Sequence, residues 1–370
     1  MDRKHIFAVV GARPNFMKVA PVMQALRATD RVKLSLVHTG QHYAPEMSDD
    51  FFRDLGMGTP DFHLEVGSAS HAAQTARVME RFEPVVLEHK PDFVLVAGDV
   101  NSTAACALVA AKLLIPVGHI ESGLRSRDRT MPEEINRLVT DVLSDLLFTT
   151  SRDADENLLA EGIAREKIHF VGNTMIDTLK RFEASARGSD APTRHGMKAG
   201  RYLLATLHRP SNVDTPTGLE RVLSYLAEAT RRLPVLFPVH PRTKASLERM
   251  GRWSELESNS AIGLLPPLGY PEFLALMAQA RAVLTDSGGV QEETTALGVP
   301  CLTLRPNTER PVTVTSGTNL IVSDEVPRHV EILDGLLGGR IPTRDTVPEL
   351  WDGRAGERIA AVLISHLAGS

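Results

Sequence analysis

Short apolar runs rich in valine, isoleucine and leucine recur along the chain, and the stretches between them repeat their apolar residues at helical spacing. In the first half the runs cover residues 6–10, 34–38, 93–97, 115–119, 146–150 and 168–171. In the second half they cover 202–206, 235–239, 282–285, 301–304 and 320–322. Unbroken apolar runs alternating with amphipathic segments predict parallel strands covered on both faces by helices. Each half has enough of them for an α/β, doubly wound sheet of its own. Residues 183–200 read EASARGSDAPTRHGMKAG, which is small, polar and aperiodic, and so predicts a linker. The expected organisation is an N-terminal Rossmann-like domain over 1–185 and a C-terminal one over 198–353, facing each other across a cleft. The last segment, about 354–370, is helical in pattern with no strand after it, and is expected to pack back on the first domain.

A length of 370 residues agrees with two domains of about 150 residues or more. Hydrophobic residues at 42% and charged residues at 24% exclude disorder, collagen-like repeats and coiled coil for the whole chain. The 41 Lys and Arg against 46 Asp and Glu leave a net charge of −5, with no basic excess for a nucleic acid. No apolar run reaches the length of a membrane span. The first run is short and leads into Gly11-Ala12-Arg13-Pro14 without a small-residue cleavage site, so it predicts a buried strand rather than a signal peptide. Cys106 and Cys301 lie far apart in apolar stretches, without metal spacing, and are expected to be buried free thiols in a cytoplasmic protein.

Doubly wound folds bind ligands beyond the carboxyl ends of their strands, so a polar motif that follows a strand is a candidate. Gly11-Ala12-Arg13-Pro14-Asn15 follows the first strand. Arg13 and Lys18 bring two positive charges there, suited to an anionic ligand or simply solvated. Asp99 ends the strand 93–97, where it either caps the Ala-rich helix that follows or belongs to a site. The next strand runs into His119-Ile120-Glu121-Ser122-Gly123-Leu124-Arg125. Thr130 and Glu133 fit a capping box, with Pro132 in the first turn. That leaves Glu134 either as an i,i+3 partner of Arg137 on a solvated face or as a site residue. Asp99, Glu121 and Glu134 at one sheet edge would push one another's pKa values apart and divide acid and base roles. A common site accounts for all three better than three coincident caps.

In the second half, His208 with Arg209 and then His240 stand at equivalent strand ends, each a titratable group beside fixed positive charge. Thr285-Asp286-Ser287-Gly288-Gly289 ends a strand and opens a helix, with Ser287 able to cap it. The exposed N–H groups and helix dipole would cradle a diphosphate, and an ordinary capped helix is the bland alternative. Glu293 lies about one and a half turns into that helix, where it would accept bonds from ribose hydroxyls. Arg310 is a further anion partner, and Phe273 lies against a base or in the core.

Taken in order, GARPNFMKVAPV, TGQH, GHIESGLRS, MPEEINR, GNTMIDTL, TLHRPSN, TDSGGVQEE and RPNTERP resemble the non-hydrolysing UDP-N-acetylglucosamine 2-epimerases over nearly the whole chain. The resemblance implies the two-domain GT-B architecture and interconversion of UDP-N-acetylglucosamine and UDP-N-acetylmannosamine. It implies anti elimination of UDP to a 2-acetamidoglucal, then re-addition with C2 protonated on the other face. It implies Asp99, Glu121, Glu134 and His208 as the catalytic set. The same resemblance implies a UDP site from Arg13, Lys18, Phe273, Ser287, Gly288, Gly289, Glu293 and Arg310; His240, from its strand-end position, is a further substrate-binding candidate. It calls for no metal or nicotinamide cofactor, and suggests a homodimer.

This chain departs from the family pattern in places. GTRPE appears as GARPN, AGLRT as SGLRS and HRREN as HRPSN, and Tyr43-Ala44-Pro45 follows TGQH with its Gln41 and His42. In bacterial members these regions help form a second, activating substrate site, so substrate activation is not expected here. The departures also leave room for a modified sugar such as a 2,3-diacetamido uronate. A hydrolysing epimerase, a GT-B glycosyltransferase and a sensor without turnover are the competing readings.

Overall fold

The computed structural model describes residues 3–40, 52–322, 326–339 and 346–369, so Gln41, His42 and the Tyr43-Ala44-Pro45 departure lie outside the described residues. Two compact units result, Met1–Thr178 with Glu349–Ser370, and Leu179–Pro348.

In the first unit the apolar runs become β1 (Lys4–Val10), β2 (Val32–His38), β3 (Phe62–His63), β4 (Phe93–Ala97), β5 (Val117–Ser122), β6 (Leu146–Thr149) and β7 (Ile168–Phe170). They form one parallel sheet in the order β3-β2-β1-β4-β5-β6-β7. Consecutive residues of β1, Ile6 and Phe7, are both fully buried, because side chains alternate between two faces and helices cover each. The second unit carries β8 (Leu203–Thr206), β9 (Val235–Pro238), β10 (Ile262–Leu265), β11 (Ala282–Thr285), β12 (Cys301–Thr303) and β13 (Asn319–Ile321). Its parallel order is β10-β9-β8-β11-β12-β13. Each sheet reverses its winding once, between β1 and β4 and between β8 and β11. The crevice at such a reversal is where open α/β sheets bind ligands. The GARPN, Gly98-Asp99, His208-Arg209 and Ser287-Gly288 motifs all follow those four strands.

Two strands were not expected from the pattern, β3 and β10, and both are sheet edges. β3 has only two residues, and β10 carries Gly263, where a Cβ would stand 2.9 Å from Leu236. β5 also runs later than its apolar segment, through a register shift between Ile120 and Ser122. The expected linker is in part regular structure. The helix Thr174–Arg187 continues into it, a short helix Ala191–Arg194 follows, and Gln279 donates to the Ala186 and Ser189 carbonyls. Cys106 and Cys301 are buried free thiols. No helix among the described residues is long and apolar enough to cross a membrane.

The C-terminal helix Ala355–Ala368 lies against the helix Arg13–Thr29, so closely that a Cβ on Gly356 would stand 2.7 Å from the Pro21 backbone. Trp351, fully buried, donates its indole N–H to the Thr150 carbonyl. Asp177 caps the helix, accepting from the Ala355 and Gly356 N–H groups at 3.1 and 2.6 Å. Burial pushes its carboxyl up to about 6, and the two backbone donors offset only part of that. A native pKa above the unfolded value means that the native state holds the proton more tightly. This contribution to stability is therefore present below about pH 4 and is lost as pH rises through 6, a change of up to about 3 kcal/mol. Asp177→Asn, which keeps an acceptor but cannot ionise, should flatten the fall in urea-unfolding stability between pH 4 and 6.5. Parallel profiles for the two proteins would count against the cap as the titrating group.

Candidate active site

Glu121 sits in β5 at the register shift, with φ +67°. A side chain in the left-handed region costs about 1–2 kcal/mol, and such strain persists where surrounding structure imposes it. The Glu121 side chain is held by Lys18, whose Nζ is 2.8 Å from Glu121 Oε1, with both side chains almost fully buried. Lys18 lies below the Gly98 turn, so close that a Cβ there would be 2.7 Å from Nζ, and Gly98 itself has φ +65°. Glycine is thus required before Asp99.

Asp99 does not cap the helix Asn101–Lys112, whose N-cap is Val100. Its carboxylate instead faces Arg137, Oδ2 accepting from Nε at 3.1 Å and Nη2 at 2.7 Å. The same guanidinium donates through Nη1 to Glu134 Oε2 at 2.6 Å. Glu134 also accepts from the Ser126 N–H and hydroxyl and the Arg127 N–H, at 2.9, 2.9 and 3.0 Å. The capping box does not form. Thr130 directs both its N–H and its hydroxyl to Asp128, and Met131 becomes the N-cap of the helix Pro132–Leu143. The Glu134–Arg137 pair exists but is buried, which overturns the solvated-face reading. The expected mutual repulsion of three carboxylates is replaced by pairing, Glu121 with Lys18 and the other two with Arg137. The helix that carries the pair is turned inside out. Glu134, Arg137, Thr140 and Asp141 are buried, while Ile135, Val139 and Val142 are exposed. Burying charge on a helix while leaving apolar residues in water runs against ordinary amphipathicity, so the buried face serves something other than core packing.

In the second unit, Asp286 at the end of β11 is fully buried and organises the turn after β8. It accepts from the His208 and Arg209 N–H groups and from Asn212 Nδ2, between 2.9 and 3.1 Å. His208 Nδ1 lies 3.3 Å from Asp286 Oδ1. Burial lowers the His208 pKa, with Arg209 and Arg242 acting the same way and Asp286 opposing, so the ring is neutral at pH 7. The His240 ring stands 5.1 Å from that of His208, and its Nδ1 accepts from the Arg242 N–H.

Ser287 is the N-cap of the helix Gly288–Leu297 but makes no capping bond with its hydroxyl, contrary to expectation. A Cβ at Gly288 would stand 2.3 Å from Arg310 Nη1 and 2.8 Å from Glu309 Oε1, so glycine leaves these side-chain ends their place. Arg310 is nearly buried between Glu309, at 2.5 Å, and Glu292, at 3.0 Å, rather than standing as a bare cation. Gly289 is half-buried in the first turn and Glu293 is buried further along. Phe273 is half-buried at the start of the helix Tyr270–Ala278, which follows the edge strand β10, separated from β11 by β9 and β8. Arg13 opens the helix after β1, and its side chain lies outside the described residues.

The family model described as UDP-N-acetylglucosamine 2-epimerase matches residues 24–364. The chain belongs to the UDP-N-acetylglucosamine 2-epimerase family. It is 41% identical over 360 residues to the UDP-N-acetylglucosamine 2-epimerase of Methanocaldococcus jannaschii, covering 96% of this chain and 97% of that one. The crystal structure of a UDP-GlcNAc 2-epimerase from that organism, in complex with UDP-GlcNAc and UDP, matches with a TM-score of 0.91 at 40% identity, over 98% and 99% of the two chains. Also similar in sequence is the UDP-2,3-diacetamido-2,3-dideoxy-D-glucuronate 2-epimerase of Pseudomonas aeruginosa, 40% identical over 97% of this chain and 99% of that one. Both sheets are those of the GT-B class.

Against this family background, sequence reasoning missed Arg137, Asp141, Asp286 and Glu309. Asp286 stood inside a recognised motif, and its place directly after a strand was the available signal. Arg137 and Asp141 follow Glu134 at i+3 and i+7, the spacing of one helix face, and could have been grouped on that ground.

Proposed function

We propose that this chain is a non-hydrolysing epimerase that interconverts UDP-N-acetylglucosamine and UDP-N-acetylmannosamine. The observation that carries the reading is the strained Glu121 locked to buried Lys18, in the unit where Asp99 and Glu134 share Arg137. The hydrogen on C2 of the sugar is poorly acidic until the C1–O bond to UDP breaks. In the proposed step a carboxylate of the Asp99, Glu121, Glu134 set removes the C2 proton, a C1=C2 double bond forms, and the electron pair of the C1–O bond leaves on the diphosphate. UDP oxygen then returns to C1 while a proton is delivered to the opposite face of C2. Neutral His208, Arg310 and the N–H groups at the Ser287-Gly288-Gly289 helix start serve the departing diphosphate. Glu293 takes the ribose, and Arg13, Lys18, His240 and Phe273 complete the substrate contacts. The three carboxylates belong to the first unit, and most of the nucleotide contacts are assigned to the second.

The exposed stripe Ile135, Val139 and Val142 favours a homodimer, and the two buried thiols agree with a cytoplasmic location. Gly288→Ala, which forces Arg310 aside, should weaken UDP binding by about tenfold or more through a displaced charge-assisted contact. Titration calorimetry giving an unaltered UDP affinity would remove this helix start from the nucleotide site.

The deciding experiment is incubation with UDP-N-acetylglucosamine in D2O, followed by proton NMR. The expected product is UDP-N-acetylmannosamine carrying deuterium at C2. Free UDP with N-acetylmannosamine would mean a hydrolysing enzyme, and consumption only with an added acceptor would mean a glycosyltransferase. A second substrate is favoured by the 40% identity to the diacetamido glucuronate epimerase. Exchange with that sugar nucleotide alone would transfer the assignment to it.

A further inference from the structure

Two buried side chains of the first unit, Asp141 and His119, together touch the backbone next to Glu121 and Asp99. Asp141, fully buried in the helix Pro132–Leu143, accepts from the Gly123 N–H at 3.1 Å, two residues past Glu121. Its other oxygen lies 2.6 Å from His119 Nδ1, and His119 Nε2 in turn lies 2.8 Å from the Gly98 carbonyl oxygen. That carbonyl belongs to the peptide joining Gly98 to Asp99, and the Gly98 N–H is held by the Ile120 carbonyl at 2.9 Å. Gly98 is therefore held at both its N–H and its carbonyl, the second of which fixes the peptide that leads into Asp99.

The chain Gly123–Asp141–His119–Gly98 is closed off from solvent, with both His119 and Asp141 at 0% exposure. Arg125 anchors it, donating to Asp141 at 2.7 Å and to Glu161 through Nε and Nη2 at 2.8 and 2.6 Å. Burial alone would raise the Asp141 carboxyl, but His119 and Arg125 together hold it below its ordinary value. A buried ionised carboxylate with neighbours on every oxygen is costly to assemble and is kept where its geometry matters.

We propose that His119 and Asp141 are positioning residues for the proton transfer at C2, fixing the Gly98–Asp99 peptide and the turn after Glu121 in one register. The proposal rests on the epimerase reading. Neither residue meets the substrate, so the effect belongs to the chemical step: a reacting group displaced by about 1 Å costs on the order of 100-fold in rate.

Two substitutions separate the ends of the imidazole. Glutamine places its amide near Nε2 and keeps the donor to Gly98, whereas asparagine places its amide near Nδ1 and frees the Gly98 carbonyl. In the D2O exchange assay, His119→Asn should lose about 100-fold in kcat with KM within about threefold of the unaltered protein. His119→Gln should stay within about tenfold. UDP affinity and stoichiometry, measured by calorimetry to count folded sites, should be unchanged in both. A purely structural role predicts that both variants lose activity only in proportion to folded sites. Equal kcat per folded site in His119→Asn and the unaltered protein overturns the proposal, as does an equal loss in the two variants. Where His119→Asn does not fold, His119→Gln decides: retained kcat supports the positioning role, and a 100-fold loss at full UDP stoichiometry overturns it. Absence of exchange by the unaltered protein removes the epimerase reading and this proposal together, an outcome visible before any variant is made.

Discussion

Glu121→Gln is expected to abolish hydrogen exchange at C2, lowering kcat by about 10²–10⁴-fold, the range that a positioned acid–base group supplies. Glutamine occupies the same volume and its amide oxygen still faces Lys18 Nζ, now 2.8 Å from Glu121 Oε1. The bulge and its left-handed φ are then kept while the proton carrier is lost. Lys18 becomes a nearly buried cation without a counter-charge, so the variant should also lose stability, visible as a lower urea midpoint. UDP affinity should fall far less than turnover, because most of the nucleotide contacts are assigned to the second unit. A drop in UDP affinity as large as the drop in turnover would place Glu121 in substrate binding, and unchanged turnover would remove it from the mechanism. Asp99→Asn should behave alike in turnover and more mildly in stability, since Asp99 is partly exposed where Glu121 is not.

The strand-end rule made much of the site legible. β1, β4, β8 and β11 were visible as apolar runs, and the four motifs after them lie at the two reversals of strand order. Of the four edge strands β3 and β10 escaped, because β3 has two residues and the short run Ile262-Gly263-Leu264-Leu265 of β10 is interrupted by a glycine. The Thr130–Glu133 capping box failed because Asp128, two residues earlier, offers Thr130 a closer acceptor, and local side-chain bonds of this kind compete with caps. At i,i+3 Glu134 and Arg137 fit a solvated surface pair as well as a site, because spacing carries no information about burial. Only the fold shows that this helix faces inward with its charges and outward with Ile135, Val139 and Val142. Ser287 and Gly288 were legible as a helix opening, but the Arg310–Glu309–Glu292 cluster behind Gly288 joins segments roughly 20 residues apart and has no local signature.

Arg137 is the residue whose loss should cost most in stability. Its guanidinium is 2% exposed and holds Asp99 through two donors and Glu134 through a third. Arg137→Met preserves much of the volume but leaves Glu134, itself 2% exposed, with backbone and hydroxyl donors and without that cation. Removing one partner from a buried ion pair costs about 3–5 kcal/mol, a large share of the ordinary margin of a folded protein. Catalysis should fall as well, because Asp99 loses the fork that fixes its orientation. Arg137→Lys separates the two effects. A lysine ammonium restores the charge but as a single point, and cannot meet Asp99 and Glu134 with the planar geometry of the fork. It should recover most of the stability while kcat in the exchange assay remains depressed by tenfold or more, on the order of a lost charge-assisted contact. Urea unfolding of the three proteins at pH 7 checks the first part. A cost below about 1 kcal/mol for Arg137→Met would mean that the pair contributes no more than an exposed salt bridge. Full activity in Arg137→Lys would mean that Asp99 needs a nearby charge but not the fork, leaving the Gly98 peptide as the element that aims it.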